Sequence, residues 1–226
     1  MMATLSNSFS SSSQSPAIII PDKPHALTVS YRQLSTEVTT FQNKLAKLGV
    51  TPGAAVSIAL PNSYAFIVAF LAASWQRAIA APLNSAYKQD EFEFYIDDLS
   101  SAVALVPQGA YENDGAAVRA ARKYKAAIAE CYWNGTEVVL DVKDAGKLNG
   151  KGNQKVEKAQ PDDVALVLHT SGTTGRPKAV NGPMLQWLFA MADRVSQVPL
   201  THRNLTRTMS TTTESQFVSP KLTSFP

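Results

Sequence analysis

Apolar residues in this chain follow two rhythms, short continuous runs and stripes at three- to four-residue spacing, and the two alternate. Order is expected to begin near Ile18. Leu27-Thr28-Val29-Ser30-Tyr31 reads as a strand, and Leu34, Val38, Phe41, Leu45 and Leu48 then fall at helical spacing. Gly49 supplies a stop and Thr51-Pro52-Gly53 a turn. Val56 to Leu60 is a second, buried strand closed by Pro61-Asn62. Ser63 is suited to cap a helix presenting Phe66, Ile67, Phe70, Leu71 and Trp75. Ile79 to Pro82 predicts a third strand, Gln89 to Leu99 a helix with Phe92, Tyr95, Ile96 and Leu99 inward, and Val103 to Val106 a fourth strand. A helix is expected over Ala116 to Ile128, and Val164-Ala165-Leu166-Val167-Leu168 is another buried strand. Strand–helix alternation of this kind predicts an α/β fold, a mainly parallel sheet flanked by helices. The aromatic stripes have helical spacing and read as core.

Composition narrows the function classes. At 226 residues and 45% hydrophobic, the chain can bury one good core or somewhat more. A net charge of +3 without any block of like charge argues against a nucleic-acid partner. The single Cys131 excludes an internal disulfide and reads as a small buried apolar residue. Three histidines and one cysteine give no metal-ligand spacing. The serine-rich segment 1–16 is expected to be disordered and lacks the regions of a signal peptide. No arginine precedes Arg32, so no targeting signal is read here. The longest apolar run, Ala65 to Trp75, is too short for a membrane span, and the sequons at Asn134 and Asn204 carry little weight. From Asp141 to Gln160 the chain turns polar, a surface linker leading to Pro161-Asp162-Asp163.

The chemistry concentrates in Thr170-Ser171-Gly172-Thr173-Thr174-Gly175-Arg176-Pro177-Lys178, directly after the last apolar strand. Gly172 and Gly175 lack a Cβ, so backbone amides there can approach an anion closely. Ser171, Thr173 and Thr174 add hydroxyl donors, Lys178 adds a point charge, and Pro177 stiffens the exit. A Walker A loop is excluded. Two residues separate Gly175 from Lys178, and Ala179 stands where the magnesium-binding hydroxyl belongs. His169, just before the loop, reads as a packed orienting residue rather than a base.

Nine consecutive positions of this stretch resemble the phosphate loop T-S-G-[ST]-T-G-x-P-K-[GA] of the acyl-adenylate-forming (AMP-binding) family, with Ala179 in place of the commoner glycine. That family includes acyl-CoA synthetases, firefly luciferase and peptide-synthetase adenylation domains. Gly49-Val50-Thr51-Pro52-Gly53 with Val56 to Ser63, and Ala80-Ala81-Pro82-Leu83-Asn84, resemble further family segments, with Ala54 replacing a usual aspartate. Ser57 to Ser63 and Ser74-Trp75-Gln76-Arg77 look most like the branch of fungal and plant peroxisomal acyl-CoA synthetases of the oxalyl-CoA type. The resemblance assigns 17–180 to part of an AMP-binding domain, the N-terminal part of the family's large domain. It lapses over 181–198, an insertion whose codons can be read as a retained intron, returns over 199–209, where Thr201 would cap a helix, and ends before the Ser/Thr-rich tail 210–226.

The resemblance implies an ATP-dependent acid–thiol ligase. A carboxylate attacks Mg²⁺-ATP to give an acyl-adenylate, and the thiol of CoA then displaces AMP. Thr170, Ser171, Gly172, Thr173, Thr174, Gly175 and Lys178 would embrace the β- and γ-phosphates, Lys178 as the group that neutralises charge. The family's downstream motifs, its CoA site and its small C-terminal domain are not matched by this sequence. The alternative is therefore an inactive remnant or a weak nucleotide-binding module. ATP and a carboxylic acid are the implied partners, and the implied location is cytoplasmic or peroxisomal. The phosphate-loop strand is expected to leave an open apolar sheet edge, prone to aggregation or chaperone binding.

Overall fold

The computed structural model describes residues 4, 6, 10–20, 26–152, 154–170, 178–180 and 200–201, the last two stretches and Thr170 as backbone only. The expected insertion, the tail and the helix after Thr201 lie outside the described residues. The chain starts with an antiparallel pair, β1 (Pro16–Ile20) and β2 (Leu27–Ser30). Order thus begins two residues before Ile18. The serine-rich segment also contributes structure, because the carbonyls of Ser13 and Ser15 accept from the amides of Arg32 and Tyr31.

Helix α1 (Tyr31–Leu48) opens with a capping box: the Ser30 hydroxyl accepts from the Gln33 amide, and the Gln33 side chain accepts from the Ser30 amide. It closes at Gly49, whose φ of 108° suits a residue without a Cβ. A Cβ there would also meet the Lys151 carbonyl at 2.9 Å, so the polar linker packs against this turn. The core then alternates as predicted: β3 (Ala55–Ile58), α2 (Tyr64–Trp75), β4 (Ile79–Pro82), α3 (Gln89–Asp98), β5 (Val103–Val106) and α4 (Ala116–Lys123).

Two expectations need correction here. In α2 the core-facing residues are Ala65, Val68, Ala69, Leu71, Ala72 and Ala73, whereas Phe66, Ile67, Phe70 and Trp75 are only partly buried at its rim. The small side chains let this helix lie close on the sheet and on α1, which larger rings would prevent. The helix read over Ala116 to Ile128 is in fact α4 followed by a strand, β6 (Ala127–Trp133). Lys125 at φ 55° breaks the helix, and Ala127, Ala129 and Cys131 pack as alternate strand residues. β6 forms a hairpin with β7 (Val138–Asp144) across the four residues Asn134 to Glu137, so the linker starts later than Asp141.

The strand expected over Val164 to Leu168 divides in two. β8 (Val164–Leu166) joins the main sheet, while β9 (Leu168–Thr170) pairs with β10 (Lys178–Val180) in a separate ribbon. The main sheet runs β11-β8-β4-β3-β5-β6-β7, where β11 is Leu200–Thr201. The five strands from β8 to β6 are parallel, and β11 and β7 are antiparallel at the two edges. The outer edge of β8 is therefore partnered by Leu200 and Thr201 rather than left bare. Alternating residues of β5 divide the core: Val103 and Leu105 meet the layer of α1 and α2, Ala104 and Val106 that of α3 and α4. Helices thus cover both faces, as a parallel sheet requires.

Candidate functional site

The stretch of interest starts where the chain leaves the main sheet. The Val167 amide donates to the Ala80 carbonyl at 3.0 Å, the last backbone bond to β4, and β9 then pairs with β10. In that ribbon Thr170 stands opposite Lys178, Ala179 opposite His169 and Val180 opposite Leu168. The two ends of the glycine- and hydroxyl-rich stretch are therefore Cα partners. Ser171, Gly172, Thr173, Thr174 and Gly175 lie outside the described residues, and for Thr170 and Lys178 only the backbone position is described.

His169 is the best-defined side chain beside this point. Its Nε2 lies 3.1 Å from Oδ2 of Asp98, its ring centroid lies 4.5 Å from that of Tyr95, and its side chain is 3% exposed. Nδ1 is buried and has no hydrogen-bond partner among the described residues. His169 is packed, as expected. Tyr95 in turn stacks near Tyr87, at 5.0 Å between centroids, and burial, followed by the Tyr87 hydroxyl, holds its phenol well above the usual range. It stays a neutral aromatic wall for His169.

Asp98 was not singled out in the sequence, although a signal existed. It is the last residue of α3, a position where the helix dipole disfavours a carboxylate, and α3 carries no basic residue in its last turn. An acid retained at such a place points to a specific partner. Tyr95 was legible only as core. Both belong to a strut that joins α3 to the strand leading into the loop.

Burial pushes the Cys131 thiol up to about 12, which keeps it protonated and unreactive. A cleft of about 800 Å³ between the start of α1 and the β6–β7 turn has Tyr64 and Trp133 among its lining residues, edge to face at 5.0 Å. Among the described residues no three His, Cys, Asp or Glu side chains gather as a metal site, and no helix is long and apolar enough to cross a membrane.

Comparison with known proteins supplies the family. The family profile described as "AMP-binding enzyme" matches residues 10–223. An oxalate–CoA ligase of Arabidopsis thaliana is 42% identical over 134 residues, covering 58% of this chain and 25% of the relative. An oxalate–CoA ligase of Saccharomyces cerevisiae is 33% identical over 205 residues, covering 79% of this chain and 37% of the relative. This chain thus spans between a quarter and two fifths of the length of these relatives. Among solved structures, ATP-bound MatB from Rhodopseudomonas palustris superposes with a TM-score of 0.61 at 24% identity, over 79% of this chain and 34% of that one, a likeness of fold. With the profile covering nearly the whole sequence, the chain belongs to the AMP-binding enzyme family.

Proposed function

We propose that residues 170–178 form the phosphate-binding loop of an ATP-dependent acid–thiol ligase, of which this chain carries the part that grips the polyphosphate. The observation that carries the reading is the register that sets Thr170 opposite Lys178. It gives the stretch containing Gly172 and Gly175 a common base, so that its amides, the hydroxyls of Ser171, Thr173 and Thr174, and the Lys178 ammonium can converge on one anion. The donor set fits a polyphosphate: several neutral N–H and O–H donors, two cations (Arg176 and Lys178) and no carboxylate within the stretch. Mg²⁺-ATP, when bound, supplies the α-phosphate that a carboxylate attacks, with pyrophosphate leaving and CoA as the later thiol acceptor. The residues of this chain bind and neutralise the β- and γ-phosphates as they depart. ATP use is supported by the family and by the ATP-bound neighbour of like fold. A cytoplasmic or peroxisomal site of action is part of the same reading and leans on the oxalate–CoA ligase relatives.

Equilibrium dialysis with Mg²⁺-ATP on monodisperse chain tests the loop. Weak, saturable binding that Lys178→Ala reduces is the expected result, and a cooperatively melting chain with no affinity overturns it. Carboxylate-dependent exchange of pyrophosphate into ATP separates the two functional classes. Exchange identifies a ligase step; binding without exchange identifies a nucleotide-binding module.

A further inference from the structure

The strand that presents the loop is held to the sheet by very little backbone. β4 and β8 share one ladder pair, Ala80 with Leu166, supplemented by the Val167 amide on the Ala80 carbonyl. Such a short parallel pairing specifies register poorly on its own, and a slip of one residue turns every side chain to the other face. On its other side β8 pairs, among the described residues, with the two residues of β11. Side chains must therefore fix where β8 sits, and with it where β9 and the loop begin.

Arg77 is placed for that task. It lies two residues before β4, and Asp163 immediately precedes β8. The Arg77 guanidinium donates from Nε to Asp163 Oδ2 at 2.8 Å and from Nη2 to Asp163 Oδ1 at 3.1 Å, a two-pronged pair. Its remaining arm, Nη1, donates to Glu157 Oε2 at 2.8 Å. Asp163 Oδ2 also accepts from the Gln160 amide at 2.7 Å, so the turn ahead of β8 closes on the same carboxylate. All three nitrogens of the guanidinium thus bond to the segment leading into the loop strand.

The backbone at Arg77 shows that this arrangement is held against a local preference. Its φ is 65°, in the left-handed region that favours glycine, and its carbonyl accepts from the Gly53 amide at 2.7 Å. A glycine would satisfy that turn without strain, but it would bring no guanidinium. The neighbouring Ser74 hydroxyl reaches the Ala165 carbonyl at 3.2 Å from the same end of α2, a second tie in the same direction.

We infer that Arg77 and Asp163 are positioning residues that set the register of β8 on β4 and thereby place the phosphate loop. This rests on the loop reading given above, and neither residue touches the ligand. The test uses the whole chain with Arg77→Gly, Asp163→Asn and their combination. Arg77→Gly removes the fork while suiting the left-handed backbone, so added backbone strain cannot explain its effect, and the melting temperature reports on the fold separately. Asp163→Asn leaves the Arg77 backbone untouched. Amide hydrogen exchange over 164–170 should quicken about tenfold in each variant and no further in the double, with β3 and β5 unchanged. Mg²⁺-ATP affinity should fall in parallel while the melting temperature holds. Unchanged exchange at 164–170, additive effects, or a loss spread evenly over β3 and β5 would overturn the inference. If the parent chain binds no Mg²⁺-ATP, the loop reading fails by itself, and the exchange measurement still decides the role of the pair.

Discussion

His169 on β9 meets Asp98 at the end of α3 at 3.1 Å, joining a helix on one face of the sheet to the strand that enters the glycine-rich loop. The contact sits on the Tyr95 ring and is nearly closed to water on the histidine side. It ties β9 to α3 one residue before Thr170. Replacing Asp98 by Ala leaves a buried imidazole nitrogen unpaired and should cost about 1–2 kcal/mol of stability by urea denaturation. A variant as stable as the parent would show that the strut carries no energy.

The small-residue face of α2 makes a sharper test of packing. Ala72 is fully buried between helix, sheet and α1, whereas Phe70 lies at the rim. Ala72→Leu should destabilise by about 1–3 kcal/mol through overpacking, despite adding apolar surface. Denaturant midpoints decide the matter, and a stabilised Ala72→Leu would reverse the assignment of the buried face.

Ser30 caps α1 by a reciprocal pair with Gln33. Ser30→Ala should lose about 1 kcal/mol, and Ser30→Asp should recover most of it. Thermal melts of the three proteins provide the comparison. Equal loss in both variants would assign Ser30 to packing instead of capping.

Alkaline pH should act on the core through Cys131. Burial raises its thiol from 9.0 to about 12, so above pH 9 the unfolded chain releases a proton that the folded chain keeps. The unfolded state then binds fewer protons, and stability must fall as pH rises from about 9 towards 12. Tyr64, raised to about 12 by burial and then by Glu37, contributes in the same direction. Cys131→Ala should flatten part of this decline, read as urea midpoints against pH; an identical slope would remove the thiol from the account. The same burial predicts that native protein resists alkylation of Cys131.

The alternation of β3, α2, β4, α3 and β5 was legible because each element carries its own punctuation: Pro61-Asn62 and Ser63 before α2, Gly49 after α1. What escaped did so for physical reasons. Alanine suits helix and buried strand alike, so Ala126, Ala127 and Ala129 continued the pattern of α4, and only the left-handed Lys125 separates the elements. The aromatic stripe of α2 was conspicuous, but close helix–sheet approach selects small residues, and these carry a weak signal. The division of the last strand at Val167 has no local mark, since it depends on where β4 ends. Of the candidate site, the stretch 170–178 stood out by its residue types, and His169 by its place before Thr170. The partners of Asp98 and Arg77 were hidden because they are distant in sequence, 71 and 86 residues away, although the acid at the end of α3 was itself a signal.

That distance bears on how the molecule is made. β3, β4, β5 and β6 and their crossover helices are synthesised in one continuous run, so each of these strands has a sheet neighbour close by in sequence. β8 does not. The place beside β4 stays vacant from the time Pro82 leaves the ribosome until Val164 follows, and for that interval a parallel strand in the middle of the final sheet is an edge. Unpaired edges invite pairing with other chains during biosynthesis. A guanidinium standing at the base of that edge, as Arg77 does, is the kind of charge that discourages such pairing until the carboxylates meant for it arrive.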